Sequence, residues 1–159
     1  MDIHNGRFTA HSDKPLVLFL IGMRLNNLLA ISKWWPVAIA MPPMLHELQQ
    51  NKDSGFLWQR TWISGRNIMG MQYWDSFEKL LAYAQDREGK HFPAWGAFNR
   101  AVGNDGAVGI WHETYLVEPG KSESIYVNMP RFGLGAAADH VPAQGRMAQA
   151  QTRMQGTDS

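Results

Sequence analysis

The chain has no cysteine. That absence excludes a disulfide scaffold, thiolate metal sites, a cysteine nucleophile and an iron–sulfur cluster. An excess of either charge is also missing: 15 Lys and Arg stand against 14 Asp and Glu, a formal net charge of +1. Neither sign is gathered into a block, and a nucleic-acid or anionic-membrane footprint needs one, so neither partner is expected. Long hydrophobic runs are few. Leu16–Met23 is apolar, but Arg24, Asn26, Asn27 and Lys33 intervene before the small residues Ala38-Ile39-Ala40. A signal peptide would place its apolar run directly before such a site. No window reaches the roughly 18–20 apolar residues of a spanning helix. The reading is a soluble, cytoplasmic protein.

Aromatic side chains are plentiful. Seven Trp, seven Phe and four Tyr occur with nine Met in 159 residues. A chain this long buries roughly two thirds of its unfolded surface and needs no staples. The large rings fit either a Trp-rich core or an apolar cavity or subunit interface, where such side chains concentrate.

Along the chain, residues 1–14 are polar and read as an arm. Pro15–Asn27 reads as a strand, apolar on both faces and hence covered on both. Leu28–Asn51 reads as helix, with Pro36, Pro42 and Pro43 breaking or kinking it. Phe56–Ser64 and Asn67–Trp74 flank Gly65-Arg66 as a hairpin. Period two puts Trp58, Arg60 and Trp62 on one face and Leu57, Thr61 and Ile63 on the other. Asp75 with Glu78 forms a capping-box pattern before a helix bearing Phe77, Leu80, Leu81 and Ala84. A short second helical piece follows His91, with Pro93 in its first turn and Trp95, Phe98 and Val102 as its stripe. Ala107–Val117 is the last long strand, and Ser124–Met129 a terminal one. Residues 135–159 carry almost nothing bulky and read as a tail, leaving 15–134 as the folded domain. The order predicts an α+β fold, a ferredoxin-like βαββαβ sheet with helices on one face. Its other face, also apolar, is expected to be covered by a second copy, making a homodimer.

Most chemical motifs fail. Gly133-Leu134-Gly135-Ala136-Ala137-Ala138 matches a dinucleotide fingerprint in letters but lacks the βαβ unit around it; a small-residue loop packed on a neighbour suits it better. His46-Glu47 and His112-Glu113 have no second His at zinc-site spacing, so no metal is expected. Within the last long strand, Trp111, Glu113 and Tyr115 share one face and Ile110, His112 and Thr114 the other. Glu113 is either a strand carboxylate paired with Arg24 or Arg60, or lines a cavity with Tyr115. His91 is either a turn residue at a helix entry, or points into a cavity as acid/base or axial haem ligand.

Six blocks carry a specific resemblance. Leu18-Phe19-Leu20-Ile21-Gly22-Met23-Arg24-Leu25-Asn26, Ala40-Met41-Pro42-Pro43-Met44-Leu45, Gln72-Tyr73-Trp74-Asp75-Ser76-Phe77-Glu78, Ala94-Trp95-Gly96-Ala97-Phe98-Asn99-Arg100, Val108-Gly109-Ile110-Trp111-His112-Glu113-Thr114-Tyr115 and Tyr126-Val127-Asn128-Met129-Pro130-Arg131-Phe132-Gly133-Leu134-Gly135 resemble a bacterial and fungal monooxygenase-like family. The resemblance implies a dimeric α+β barrel, an architecture shared by antibiotic-biosynthesis and haem-degrading monooxygenases and by several haem enzymes. It implies an oxidoreductase acting on a hydrophobic, aromatic or terpenoid molecule held between sheet and helices. Without a cofactor, His91 or Glu113 would remove a proton, and Arg24 or Tyr115 would stabilise the resulting charge. With haem, His91 or His112 would ligate iron between walls that include Trp74 and Trp95. A non-catalytic dimer that binds haem or an apolar ligand is the alternative.

Overall fold

The computed structural model describes residues 2–86, 96 and 105–154. Strands β1 (His4–His11) and β2 (Leu16–Leu25) precede helix α1 (Ile31–Gln50). The hairpin β3 (Phe56–Ser64) and β4 (Asn67–Trp74) follows, then α2 (Phe77–Gln85), β5 (Val108–Val117) and β6 (Tyr126–Met129). A short helix Leu134–Ala137, strand β7 (Asp139–Pro142) and a terminal helix Ala150–Met154 complete the described chain. Two antiparallel sheets result. One has the order β3-β4-β2-β5, the other β6-β1-β7. The first, with α1 and α2, is the expected ferredoxin-like α+β unit.

Hairpin β3–β4 falls where alternation and the turn signal place it. Gly65 sits at φ +56°, while Arg66 stays out of the left-handed region, the combination that a two-residue II′ turn uses. A bulge between Phe56 and Trp58 shifts the register at the start of β3, which returns Phe56 to the face of Gln59, Thr61 and Ile63.

The odd-numbered side of β2 meets the helices. Val17 and Trp74 pack with Leu48 of α1 and Leu80 of α2, and Phe19, Phe56 and Tyr83 close round them. Further along, Met23, Leu25 and Val108 pack with Val37 of α1. Burying such side chains is worth about 1.5–3 kcal/mol each. This packing carries α1 through Pro36, Pro42 and Pro43 without interruption, so the break expected from the prolines is absent. The prolines still act locally. Pro42 has no N–H to give the carbonyl of Ala38, four residues back.

The cap of α2 differs by one residue from the expected pattern. Ser76 is the N-cap and accepts from the Lys79 amide at 3.2 Å. Asp75 instead holds the Lys79 ammonium at 2.7 Å.

Two further expectations need correction. Residues 1–14 do not hang free as an arm, because β1 is the central strand of the second sheet. Thr9, almost fully buried, donates its hydroxyl to Ser124 O at 2.8 Å, and the Gly6 amide donates to Asn128 Oδ1 at 2.9 Å. The tail likewise begins with an ordered strand, β7, paired to β1. Nor does the second face of the large sheet wait for a second copy along its whole width. Phe132 packs edge-on against Trp58 and Trp62, with ring centroids 5.0 and 6.1 Å apart, and Gly133 approaches Met71. The chain's own C-terminal part thus covers the β3–β4 half. The glycine-rich stretch packs closely on a neighbouring segment, but as the short helix Leu134–Ala137 and not as the expected loop: a Cβ on Gly135 would lie 2.7 Å from the Tyr126 ring.

Candidate functional site

Between the large sheet and α1 lies a cavity of about 530 Å³. Ile21 and Met23 of β2, Ile68 and Gly70 of β4 and Ile110 of β5 form its floor. Helix α1 roofs it with Val37, Met41 and Leu45, spaced four apart and so on one side of the helix. Ala38, whose carbonyl Pro42 leaves without its usual donor, belongs to this wall, as does Pro42 itself. Polar side chains gather at one side: Gln59 and Thr61 from β3, His46 and Gln49 from α1. The Thr61 hydroxyl donates to Gln59 Oε1 at 3.3 Å. His46 Nε2 lies 3.4 Å from the Gln50 amide nitrogen. An apolar enclosure with a few polar groups at one end is the usual form of a small-molecule site.

The candidate residues read from the sequence divide between the two faces of the sheet. Glu113 and Tyr115 sit on the face turned away from the helices and line no part of this cavity. Both are exposed, and the Tyr115 hydroxyl donates to Glu113 Oε2 at 2.5 Å. That carboxylate raises the phenol's pKa, first through the hydrogen bond and then through its charge. Arg24, also exposed on that face, donates to Asn67 Oδ1 at 3.3 Å. The pairing of Glu113 with Arg24 or Arg60 does not form: Arg60 and Glu113 stand at opposite edges of one row, with Met71 and Leu20 between.

Trp74 faces the helices but is fully buried, its indole N–H donating to Gln72 Oε1 at 3.0 Å. It is a core residue rather than the wall of a slot. His112 is on the helix face at the exposed edge strand, 5.8 Å from the Phe19 ring. His91 and Trp95 lie outside the described residues, as does the rest of the second helical piece. Among the described residues no three His, Asp or Glu side chains converge to hold a metal, and no helix is long and apolar enough to cross a membrane.

As wall residues the sequence reading passed over His46, Gln59 and Thr61. A signal for two of them exists: Gln59 and Thr61 are polar residues at helix-facing positions of a strand whose other members on that face, Phe56 and Ile63, are apolar.

The sequence profile of the family described as monooxygenase af470-like matches residues 16–134. This chain belongs to that family. The matched stretch runs from β2 to the start of the helix Leu134–Ala137, so it contains the cavity and leaves β1 and β7 outside. Monooxygenase af470 of Aspergillus fumigatus is 27% identical over 154 residues, which cover 84% of this chain and 54% of that protein. The chain thus spans about half the length of this relative. Solved structures with some likeness include SnoaB, a cofactor-independent oxygenase from Streptomyces nogalater, at 9% identity and a TM-score of 0.44 over 63% of this chain and 90% of that one. A protein of unknown function from Bacteroides thetaiotaomicron, described as a possible oxidoreductase, shows 14% identity and a TM-score of 0.45 over 67% and 100%. The ferredoxin-like assignment itself comes from the strand order and register of this chain.

Proposed function

We propose that this chain is an oxygenase that takes a hydrophobic small molecule into the cavity beneath α1. The observation that carries the reading is the apolar cavity of about 530 Å³ inside the part of the chain that defines its family membership. His46 is the titratable group among the described residues of its wall, and an imidazole is suited to taking a proton near neutral pH. Removing a proton from an acidic C–H gives a carbanion able to pass electrons to dioxygen. Converting a CH₂ to a carbonyl in this way consumes one O₂: one oxygen atom stays in the product and the other leaves as water. In this scheme the substrate is the reductant. His46 takes the place in the reaction that the sequence suggested for Glu113, which the opposite face holds out of reach.

The haem version finds less support among the described residues. Trp74 is packed in the core, His112 lies beyond the cavity wall, and His46 is the imidazole the cavity offers. A visible spectrum after haem titration tests this directly, and a Soret band would restore the haem reading.

Oxygen uptake in the presence of 2-tetralone, an enolisable apolar ketone, tests the main reading. Wild type should consume oxygen. Gly70→Leu should not, because a Cβ at Gly70 meets only Ile21 at ordinary contact distance and the longer side chain projects into the cavity. Uptake undiminished in Gly70→Leu would overturn the site. Binding of the ketone with no uptake in wild type would favour a non-catalytic binding module.

Self-association belongs to the same proposal. The partly buried Leu18, Leu20 and Trp111 and the half-exposed Tyr115 make an apolar patch on the β2–β5 half of the second face that the described residues cover only in part, which suits a second copy. Sedimentation as a monomer at micromolar concentration would exclude it.

A further inference from the structure

At one end of the large sheet several segments meet. The Leu25 amide donates to Arg66 O at 2.8 Å, and the Asn26 and Asn27 amides donate to Ala107 O at 3.0 Å. These bonds bring together the β3–β4 turn, the start of β5 and the loop that enters α1. The loop is held firmly. The Leu29 amide donates to Asn27 Oδ1 at 3.0 Å, and the Trp34 indole, itself packed against the core, donates to Leu28 O at 3.1 Å. What this fixed loop presents outward is apolar. Leu29 is 90% exposed, Ile63 beside the turn is 75% exposed, and Leu28 is exposed as well. Ile31, Trp35 and Ile39 follow four apart along α1, all exposed, and so share one face.

Large apolar side chains gathered in water mark a contact surface. The charges around this one share a sign. Arg24, Lys33 and Arg66 stand here against a single carboxylate among the described residues, Asp105, and Lys33 holds it. Neither exposed guanidinium meets a carboxylate: Arg24 donates to Asn67 Oδ1 at 3.3 Å and Arg66 to Asn26 O at 3.1 Å. The three cations come from β2, α1 and the hairpin turn, so no basic block announces them in the sequence.

We infer that this end docks on the surface of a lipid bilayer, with Leu28, Leu29, Ile31, Trp35 and Ile63 at the acyl boundary and Arg24 and Arg66 among anionic headgroups. Projecting apolar side chains, an indole at the boundary and cations at the rim are the elements of an interfacial contact. A second copy has its apolar patch elsewhere, on the β2–β5 half of the other sheet face. The cavity reaches the same end, since Ile63 and Ile110, both exposed, belong to its wall. A hydrophobic substrate dissolved in the bilayer would reach the cavity without passing through water. That consequence rests on the proposed function; the docking itself does not.

Flotation with large unilamellar vesicles tests the docking, using phosphatidylcholine alone and a mixture with phosphatidylglycerol. The full chain should float with the mixture and more weakly with phosphatidylcholine. Leu29→Glu should lower the partition coefficient by about tenfold, the scale of one leucine returned to water. Leu29 is exposed, so the replacement should leave the fold intact, which circular dichroism checks. Leu116→Glu, at an exposed leucine near the other end of β5, should leave the partition unchanged. Wild type that floats with neither vesicle overturns the docking and leaves the cavity and the oxygenase reading standing. Equal flotation of wild type and Leu29→Glu shows adsorption by charge alone and overturns it too. Dissociation of an oligomer by Leu29→Glu, with no vesicle binding by wild type, assigns this end to a protein contact instead.

Discussion

The two faces of the four-stranded sheet use similar side chains to different ends. Facing the helices, Trp74 sits between Phe56 and Tyr83 with no exposed surface, and the sheet next to it hollows into a cavity. Facing away, Trp58 and Trp62 share Phe132 with the C-terminal part, while Tyr115 stands half-exposed. Aromatic content alone does not distinguish core, pocket and interface. What separates them is the second layer that each row meets.

The largest expected break in this contrast is Trp74→Ala. It should lower the free energy of unfolding by about 3–5 kcal/mol, as buried aromatic truncations do. Tyr115→Arg, on the open face, should stay within about 0.5 kcal/mol while weakening any dimer. Urea denaturation and sedimentation velocity together measure the difference. Next in size is Gly135→Val. Its side chain would drive into Tyr126 and His140 and cost about 1–3 kcal/mol; a loss confined to the β6-β1-β7 sheet would show in hydrogen exchange at Phe8 and Thr9.

The smallest effect is a pH dependence seated in the same small sheet. His140 stacks on Phe8 at 4.5 Å, with the rings of His4 at 5.0 Å and Tyr126 at 5.6 Å, and its Nε2 is buried without a partner. Burial first, then His4 and Arg131, push its pKa below the ordinary imidazole value. The unfolded chain therefore takes up the proton first. The stability from neutral His140 is fully present above about pH 6.5 and is lost as pH falls from there toward the lowered folded value. His140→Phe should flatten the fall in urea midpoint between pH 7 and 5.5. A slope equal to that of wild type would remove His140 as its source.

Much of the large sheet could be read directly from the residues. Hairpin β3–β4 and the split of Trp111, Glu113 and Tyr115 from Ile110, His112 and Thr114 follow from period-two alternation and a two-residue turn, which are local signals. Strands β1 and β7 gave no such signal. His4-Asn5-Gly6-Arg7 resembles a solvated arm, and the partners that make it a strand are more than a hundred residues away. The site was half legible. A cavity between sheet and helices followed from the family resemblance. The choice of Glu113 followed from imagining both faces of β5 enclosed, whereas among the described residues the covering of the second face stops at the β3–β4 half. His46 was hidden because a histidine on a helix carries no mark of the space beside it.

The placing of β1 also orders events in time. Thr9 waits for Ser124, 115 positions later. At ribosomal speeds that interval is on the order of ten seconds, during which the large sheet can be largely assembled while both borders of β1 stay unzipped. The polar, glycine-containing start of this strand keeps those borders from recruiting strangers. The small sheet is thus the final clasp of the chain, fastened only once the half that holds the cavity has already taken shape.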